Sequence, residues 1–324
     1  MLILSREDIL SCLPISDAID AMRKTFLALQ AGEVLLPQRI VMDSEQHAGT
    51  TLVMPSRVES AGSEALAVKV VSLFDGNQSK GLRRLQASVL LFDHTTGVAL
   101  ALLEGATLTS LRTGAASGLG AAVLAREDSR VGALFGAGVQ GVTQLQAICA
   151  ARPLETVWVY DLSQQAAEAF VAENKGENVE LRVAKTPQQA LADADVIAAA
   201  TVSHTPIFDD ADLKPGAHIS AVGSYQPHVR EIPGATVARS LIVVDQREAA
   251  LEETGDLIQS IDEGLITPES IHAEIGEILA GEATGRTSDT QITFFKSVGL
   301  AIQDAVTARR VYDKAKEKGL GTEC

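Results

Sequence analysis

Three glycines raise the first chemical possibility. In VGALFGAGVQGVTQLQAI, residues 131–148, Gly136, Gly138 and Gly141 follow an apolar run and open an apolar-periodic one. This is the G-x-G-x-x-G spacing: the first glycine permits a tight turn, the second lets a pyrophosphate approach the backbone, and the third lets helix and strand pack closely. The N–H groups and positive dipole end of such a helix start attract phosphate. Asp161, which ends VWVYD about 20 residues further on, stands where a carboxylate accepts hydrogen bonds from an adenosine ribose. Its charge repels a 2′-phosphate, and no arginine follows in DLSQQAAEA, so the stretch favours NAD (NADH), with NADP possible. The competing reading is a glycine-rich turn in a nucleotide-free α/β domain, with Asp161 solvated at a strand end. AAATVSHTPIF, residues 198–208, fits a later strand end on the nicotinamide side.

Arg39, Lys69 and Arg112 are the cations that could hold a small anion. Lys69 interrupts the apolar run ALAVKVVSLF, where a charge needs a partner or a wet cavity; equally, it could occupy a solvent-facing strand position. Arg112, in SLRTGAAS, has the planar fork that grips carboxylate or pyrophosphate, or it could form a salt bridge between domains. His204, His218, His228 and His272 show no metal-ligand spacing, so no metal site is expected. Cys12, Cys149 and Cys324 are far apart and odd in number, which suggests buried or incidental thiols. No G-x-S-x-G elbow is present.

These residues need a scaffold, and the chain changes texture along its length. Residues 6–32 have apolar positions at helical spacing, with a proline near the start and glycine at the close. From 37 to 103 short β-rich runs alternate with Gly, Asn and Asp turns. TLTSLRTGAASGLGAAVLA, residues 107–125, is a small-residue helix suited to close packing. From 131 onward strands and amphipathic helices alternate, which is the sequence form of a parallel sheet covered on both faces, with further strands expected at 217–223 and 240–245. The C-terminal GLAIQDAVTARRVYDKAKEKG reads as helix. The fold class is therefore α/β: a central Rossmann-type parallel-sheet domain, residues 121–299, plus a β-rich α+β domain built from 1–120 and 300–324.

With 324 residues, two domains are the better prior. Apolar residues make up 46% and charged ones 21%, and no run is long enough for a membrane helix. The N-terminus carries no basic leader, so a cytoplasmic protein is expected. A net charge of −15 argues against a nucleic-acid partner.

Several segments together resemble the ornithine cyclodeaminase/mu-crystallin family over essentially the whole chain. They are MPS at 54–56, KVV at 69–71, SLRTGAASG at 110–118, FGAGVQ at 135–140, HISAVGS at 218–224, EIGEILAG at 274–281 and FFKSVGLAIQD at 294–304. The resemblance implies a homodimer performing NAD(P) chemistry on amino or imino acids, and it assigns dimerisation and substrate binding to the β-rich α+β domain. It implies that Arg39 and Lys69 contact the substrate carboxylate, with Met54 and Ser297 beside them; because an imine nitrogen must be protonated before its carbon accepts hydride, Lys69 or a water it orients is the candidate proton donor. It assigns the cofactor to Arg112, Thr113, Gly136, Ala137, Gly138, Val139, Gln140, Asp161, Thr201, Val222, Gly223, Ser224 and Lys296.

One departure is chemical. Cyclodeaminases of the family carry an aspartate in a G-G-D-x-P-G-K pattern after the strand matching ISAVG, and the archaeal-type alanine dehydrogenases have it too. Here the run is GSYQPHVRE, with Tyr225 at the aspartate and Val229 at the lysine. Without that proton carrier the resemblance points to the ketimine and Δ1-pyrroline-2-carboxylate reductase branch, which QREAALEETGD at 246–256 also favours. Ornithine cyclodeamination, alanine dehydrogenation and a non-enzymatic ligand carrier of the mu-crystallin kind are the alternatives. GLRRLQAS at 81–88 departs from relatives that often have proline there.

Overall fold

The computed structural model describes residues 1–176 and 179–324. The chain forms two compact units, Met1–Arg112 with Leu300–Cys324, and Thr113–Gly299.

The first unit starts with strand β1 (Leu2–Leu4) and helices α1 (Arg6–Cys12) and α2 (Ile15–Gln30). Ser5 and Asp8 cap α1 reciprocally, each side chain accepting the other's backbone N–H. Pro14 lacks an N–H and separates the two helices. Strands β2 (Val34–Leu35), β3 (Ile40–Ser44), β4 (Gly49–Val58), β5 (Ala65–Phe74), β6 (Leu85–Phe92) and β7 (Ala99–Glu104) follow. β4 through β7 form an antiparallel meander, β2 and β3 pair with β4, β1 lies parallel to β7, and the terminal strand Thr322–Glu323 pairs with β1. Alternation buries one face: Met54, Ser56 and Val58 of β4, Ala65, Ala67, Lys69 and Val71 of β5, Val89 and Leu91 of β6. The C-terminal helix, Ala301–Lys318, covers β4, β5 and β6 and also packs on α2. The register sets Lys69 between Met54 and Val89.

Helix α3 (Gly105–Leu124) starts in the first unit and continues into the second. The second unit then alternates β8 (Val131–Phe135), α4 (Val139–Ala151), β9 (Thr156–Tyr160), α5 (Gln164–Glu173), β10 (Glu180–Val183), α6 (Pro187–Leu191), β11 (Val196–Ala199) and β12 (His218–Ala221). It ends with α7 (Gly234–Arg239), β13 (Leu241–Val244), α8 (Arg247–Glu253), α9 (Gly255–Asp262), β14 (Ile271–Glu274), α10 (Ile275–Leu279) and β15 (Thr293–Lys296). The sheet is wholly parallel, in the order β10-β9-β8-β11-β12-β15-β13-β14. From β8 the chain steps outward to β9 and β10, then returns to β11 on the other side of β8. That reversal opens a crevice at the carboxyl ends of β8 and β11, the place where a doubly wound sheet binds ligands.

The expected elements are present; β1, β2, the terminal strand, α7 to α10, β14 and the central β15 were beyond the sequence reading. β15 is buried at all four residues, yet Thr293 and Lys296 bound it with polar side chains, so it has neither an apolar run nor an alternation to detect. Small residues let α3 approach its neighbours. A Cβ on Gly114 would stand 2.6 Å from the Thr143 carbonyl oxygen, and one on Gly120 would stand 2.5 Å from the Phe295 ring. Gly120→Val should therefore lower stability by about 2 kcal/mol through overpacking, measured as a shift in the urea midpoint; an unchanged midpoint would refute the close packing of α3.

Candidate active site

The first unit concentrates charge where its sheet is otherwise apolar. Lys69 is 2% exposed, which excludes the solvent-facing alternative: alternation along β5 turns it to the covered face with Ala67 and Val71. Its Nζ lies 3.0 Å from Oδ1 of Asp304, in the first turn of the C-terminal helix. Arg112, on α3, directs its Nε to the same oxygen at 3.3 Å and donates from Nη1 to Gln303 Oε1 at 3.1 Å. Met54 lies directly opposite Lys69 across the β4–β5 ladder. Arg39, in the chain between β2 and β3, is half-buried, and its charge acts on Lys69.

Burial lowers the Lys69 pKa to about 8 from its ordinary value; Asp304 opposes the change, whereas the Arg112 and Arg39 charges add to it. Asp304 gains from the positive end of the helix dipole. Its second oxygen, Oδ2, and the Nε2 of Gln303 are buried without a hydrogen-bond partner. Asp304 and Gln303 were absent from the sequence-derived site. The available signal was a carboxylate and an amide inside GLAIQDAVTA, an otherwise apolar helix start.

The second unit builds a different kind of site, out of backbone. Gly136 has φ +103°, which favours glycine, and a Cβ there would lie 2.6 Å from the Ala200 carbonyl oxygen. A Cβ on Gly141 would lie 2.5 Å from the Gly136 carbonyl oxygen, so α4 sits hard against the turn. Gly138 caps α4 in extended geometry without a side-chain cap, and a Cβ on it would meet nothing within 4 Å. The first and third glycines thus serve the protein, and the second leaves room. Asp161 accepts from the N–H groups of Ala137 and Ser163, both at 2.9 Å, which ties the end of β9 to the glycine turn. Val139 and Leu162 flank this turn at 73% and 92% exposure, apolar side chains without a protein neighbour to cover them. An open glycine, an uncapped helix start, a ribose-height carboxylate and two uncovered apolar side chains fit a dinucleotide.

Further along the same strand ends, buried carboxylates organise the loops. Glu231 accepts from the N–H and hydroxyl of Thr201 through one oxygen, and from the N–H groups of Gly223 and Ser224 through the other. Burial pushes its carboxyl up, against the pull of Lys296. Asp256 accepts from the N–H groups of Glu231 and Ile232 and pairs with Lys296 Nζ at 2.9 Å. Asp245, raised by burial, accepts from the Ser297 hydroxyl and from the N–H groups of Val298 and Gly299. Ser224 donates to the Val229 carbonyl.

The structure therefore gathers Met54, Lys69 and Arg112 in the first unit. It gathers Gly136, Ala137, Gly138, Val139, Gln140 and Asp161 at one turn of the second, and joins Thr201, Gly223 and Ser224 through Glu231. Val222 donates its N–H to Ala199, and Thr113 is half-buried on α3. The side chains of Ser224 and Lys296 are wholly buried and Ser297 is nearly so, which directs them toward the protein rather than a ligand. Sequence reading missed Glu231, Asp245 and Asp256, acids whose partners are mostly backbone groups. Among the described residues there is no group of three or more His, Cys, Asp or Glu that could hold a metal, and no helix long and apolar enough to cross a membrane.

The sequence profile of the ornithine cyclodeaminase/mu-crystallin family matches residues 1–319. The chain belongs to this family. Within it, a Δ1-pyrroline-2-carboxylate reductase of Bacillus cereus is 37% identical over 327 residues, covering 100% of this chain and 99% of its own. Among solved structures, the Thermococcus litoralis Δ1-pyrroline-2-carboxylate reductase in complex with NADH and L-proline matches with a TM-score of 0.96 and 43% identity, over 100% of both chains. An archaeal alanine dehydrogenase dimer with bound NAD matches with a TM-score of 0.93 and 32% identity, over 100% of this chain and 98% of that one.

The family fold makes the glycine turn separable into structural and ligand roles by mutation. Gly138→Val should weaken NADH binding at least about tenfold, roughly 1.4 kcal/mol, with an unchanged melting temperature, because its side chain fills space that the protein leaves open. Gly141→Val should lower the melting temperature instead. Fluorescence titration and thermal unfolding of the two variants check this, and equal NADH affinity in wild type and Gly138→Val would refute the cradle.

Proposed function

We propose that the protein is an NAD(P)H-dependent reductase of cyclic imino acids, converting Δ1-pyrroline-2-carboxylate or Δ1-piperideine-2-carboxylate to L-proline or L-pipecolate. The observation that carries the reading is the buried cluster of Lys69, Arg112 and Asp304, with the charge of Arg39 acting on it. Lys69 and Arg112 share a single oxygen of Asp304, and a cationic pair of this kind suits an anion of amino-acid size. The relatives named for this activity, at 37% and 43% identity, support it.

Arg39 and Lys69 bind the substrate carboxylate beside Met54, while Ser297, whose hydroxyl is taken by Asp245, serves the protein rather than the substrate. Gly136 to Gln140 and Asp161 hold the dinucleotide, with Arg112, Thr113, Thr201, Val222 and Gly223; Ser224 and Lys296 support its loops. When bound, NADH supplies a hydride to the ring carbon of the C=N bond. Lys69 supplies the proton to the ring nitrogen, so one imine, one NADH and one proton give one amino acid and NAD⁺. Holding the carboxylate makes the encounter effectively unimolecular, and a lysine whose pKa is near 8 can give up a proton readily.

Asp161 favours NAD over NADP, and Leu162 next to it offers an exposed apolar surface rather than a cation for a 2′-phosphate. Tyr225 stands where cyclodeaminases of the family have their acid, which disfavours ammonia expulsion. Homodimerisation is supported by the exposed apolar row Leu35, Ile40, Val41 and Met42 on β2 and β3, and by the dimeric alanine dehydrogenase relative. A cytoplasmic location agrees with the reaction.

The deciding experiment is a steady-state screen. NADH should be consumed with cyclic imino acids, with kcat/KM higher than for NADPH; ammonia release from L-ornithine with NAD⁺, and no imine reduction, would overturn the reading. Protonated Lys69 is the active form, so kcat/KM should fall as pH rises through about 8. Lys69→Met should cost about a hundredfold or more in turnover with NADH binding retained; full activity would remove Lys69 from the mechanism.

A further inference from the structure

Lys69 and Arg112 converge on the same atom. Nζ lies 3.0 Å and Nε 3.3 Å from Oδ1 of Asp304, while Oδ2 of that carboxylate, 1% exposed, has no hydrogen-bond partner. A buried carboxylate selected only for packing or stability would satisfy both oxygens, because an unpaired buried acceptor is costly. The lopsided use of Asp304 instead directs two cations from two elements onto one point. The charged groups acting on Lys69 are Asp304 on the C-terminal helix, Arg112 on α3 and Arg39 between β2 and β3. Both guanidinium groups, like burial itself, drive the proton off Lys69; of these neighbours Asp304 alone holds it on.

We infer that Asp304 is a positioning residue for proton transfer: it fixes the Lys69 ammonium in place and keeps it charged in a buried site, dividing its negative charge between Lys69 and Arg112. The inference rests on the reading of Lys69 as the proton donor. In that step an N–H bond forms at the ring nitrogen and an Nζ–H bond breaks. Neutral Lys69 stays beside Asp304 and takes its next proton from water. Arg112, through its share of Oδ1, then sets how strongly Asp304 holds that proton on Lys69.

The test reads the lysine directly, so that it does not depend on turnover. The full-length protein is prepared with [ε-13C]lysine, and the resonance missing from Lys69→Met identifies Lys69. Its titration midpoint should fall by at least about one pH unit in Asp304→Asn, the size of shift that loss of an adjacent opposite charge produces. It should rise in Arg112→Gln, where Asp304 serves Lys69 alone. An unchanged midpoint in either variant overturns the inference. If Asp304→Asn does not fold, Arg112→Gln decides by itself. In active protein, the descending limb of kcat/KM against pH should move with the midpoint, and a limb that stays while the midpoint moves also overturns it. Wild-type protein that consumes no NADH with cyclic imines overturns the functional reading, and the midpoints then still decide whether Asp304 controls the charge of Lys69.

Discussion

A carboxylate oxygen shared by an ammonium and a guanidinium constrains the whole first unit. Burying these charges is tolerable only if they meet, since an isolated buried ion costs several kcal/mol and removing one partner leaves the others stranded. The meeting joins residues 235 and 192 positions apart, so β5, α3 and the C-terminal helix must all reach one point. Small residues make that possible. Ala67 lies two positions from Lys69 on the same face, and a Cβ on Gly105, at the start of α3, would lie 2.6 Å from the backbone of Ala87. The β4–β5–β6 register then fixes the height at which Lys69 emerges.

The second unit handles the carboxyl ends of its strands in two opposite ways. At Thr201, Gly223, Ser224, Val298 and Gly299 the backbone N–H groups are taken by Glu231 and Asp245, which lock the loops without any ligand. At α4 no side chain caps the helix, and a glycine keeps the approach clear. Internal carboxylates thus fill the places where the protein supplies its own anion. The uncapped helix start is where an anion can come from outside.

What was legible in the sequence follows from the range of the physics involved. Gly136, Gly138, Gly141 and Asp161 were legible because a turn, a close approach and a strand end are local demands that few residue types meet. Lys69 stood out as a charge in an apolar strand, but the strand alone could not say which face it occupied; only its cover by the C-terminal helix settles that. Asp304, Glu231 and Asp256 were not legible. A single acid in a helix or loop carries no periodicity, and the groups these acids satisfy lie anywhere from 7 to 235 residues away, most of them in other elements. β15 escaped for a related reason: in the middle of a parallel sheet both faces are buried, and four residues ending in Lys296 offer no pattern.

The C-terminal helix also has a consequence for how the protein is made. β5 leaves the ribosome carrying Lys69 long before residue 304 exists, and the whole parallel-sheet unit, Thr113–Gly299, is translated in between. Until Ala301–Lys318 appears, the sheet of the first unit lacks both its apolar cover and the counter-ion of Lys69. The inner face of the first unit can therefore be closed only after the second unit has been synthesised. Truncating the chain before the last helix removes the cover and the negative charge in one stroke.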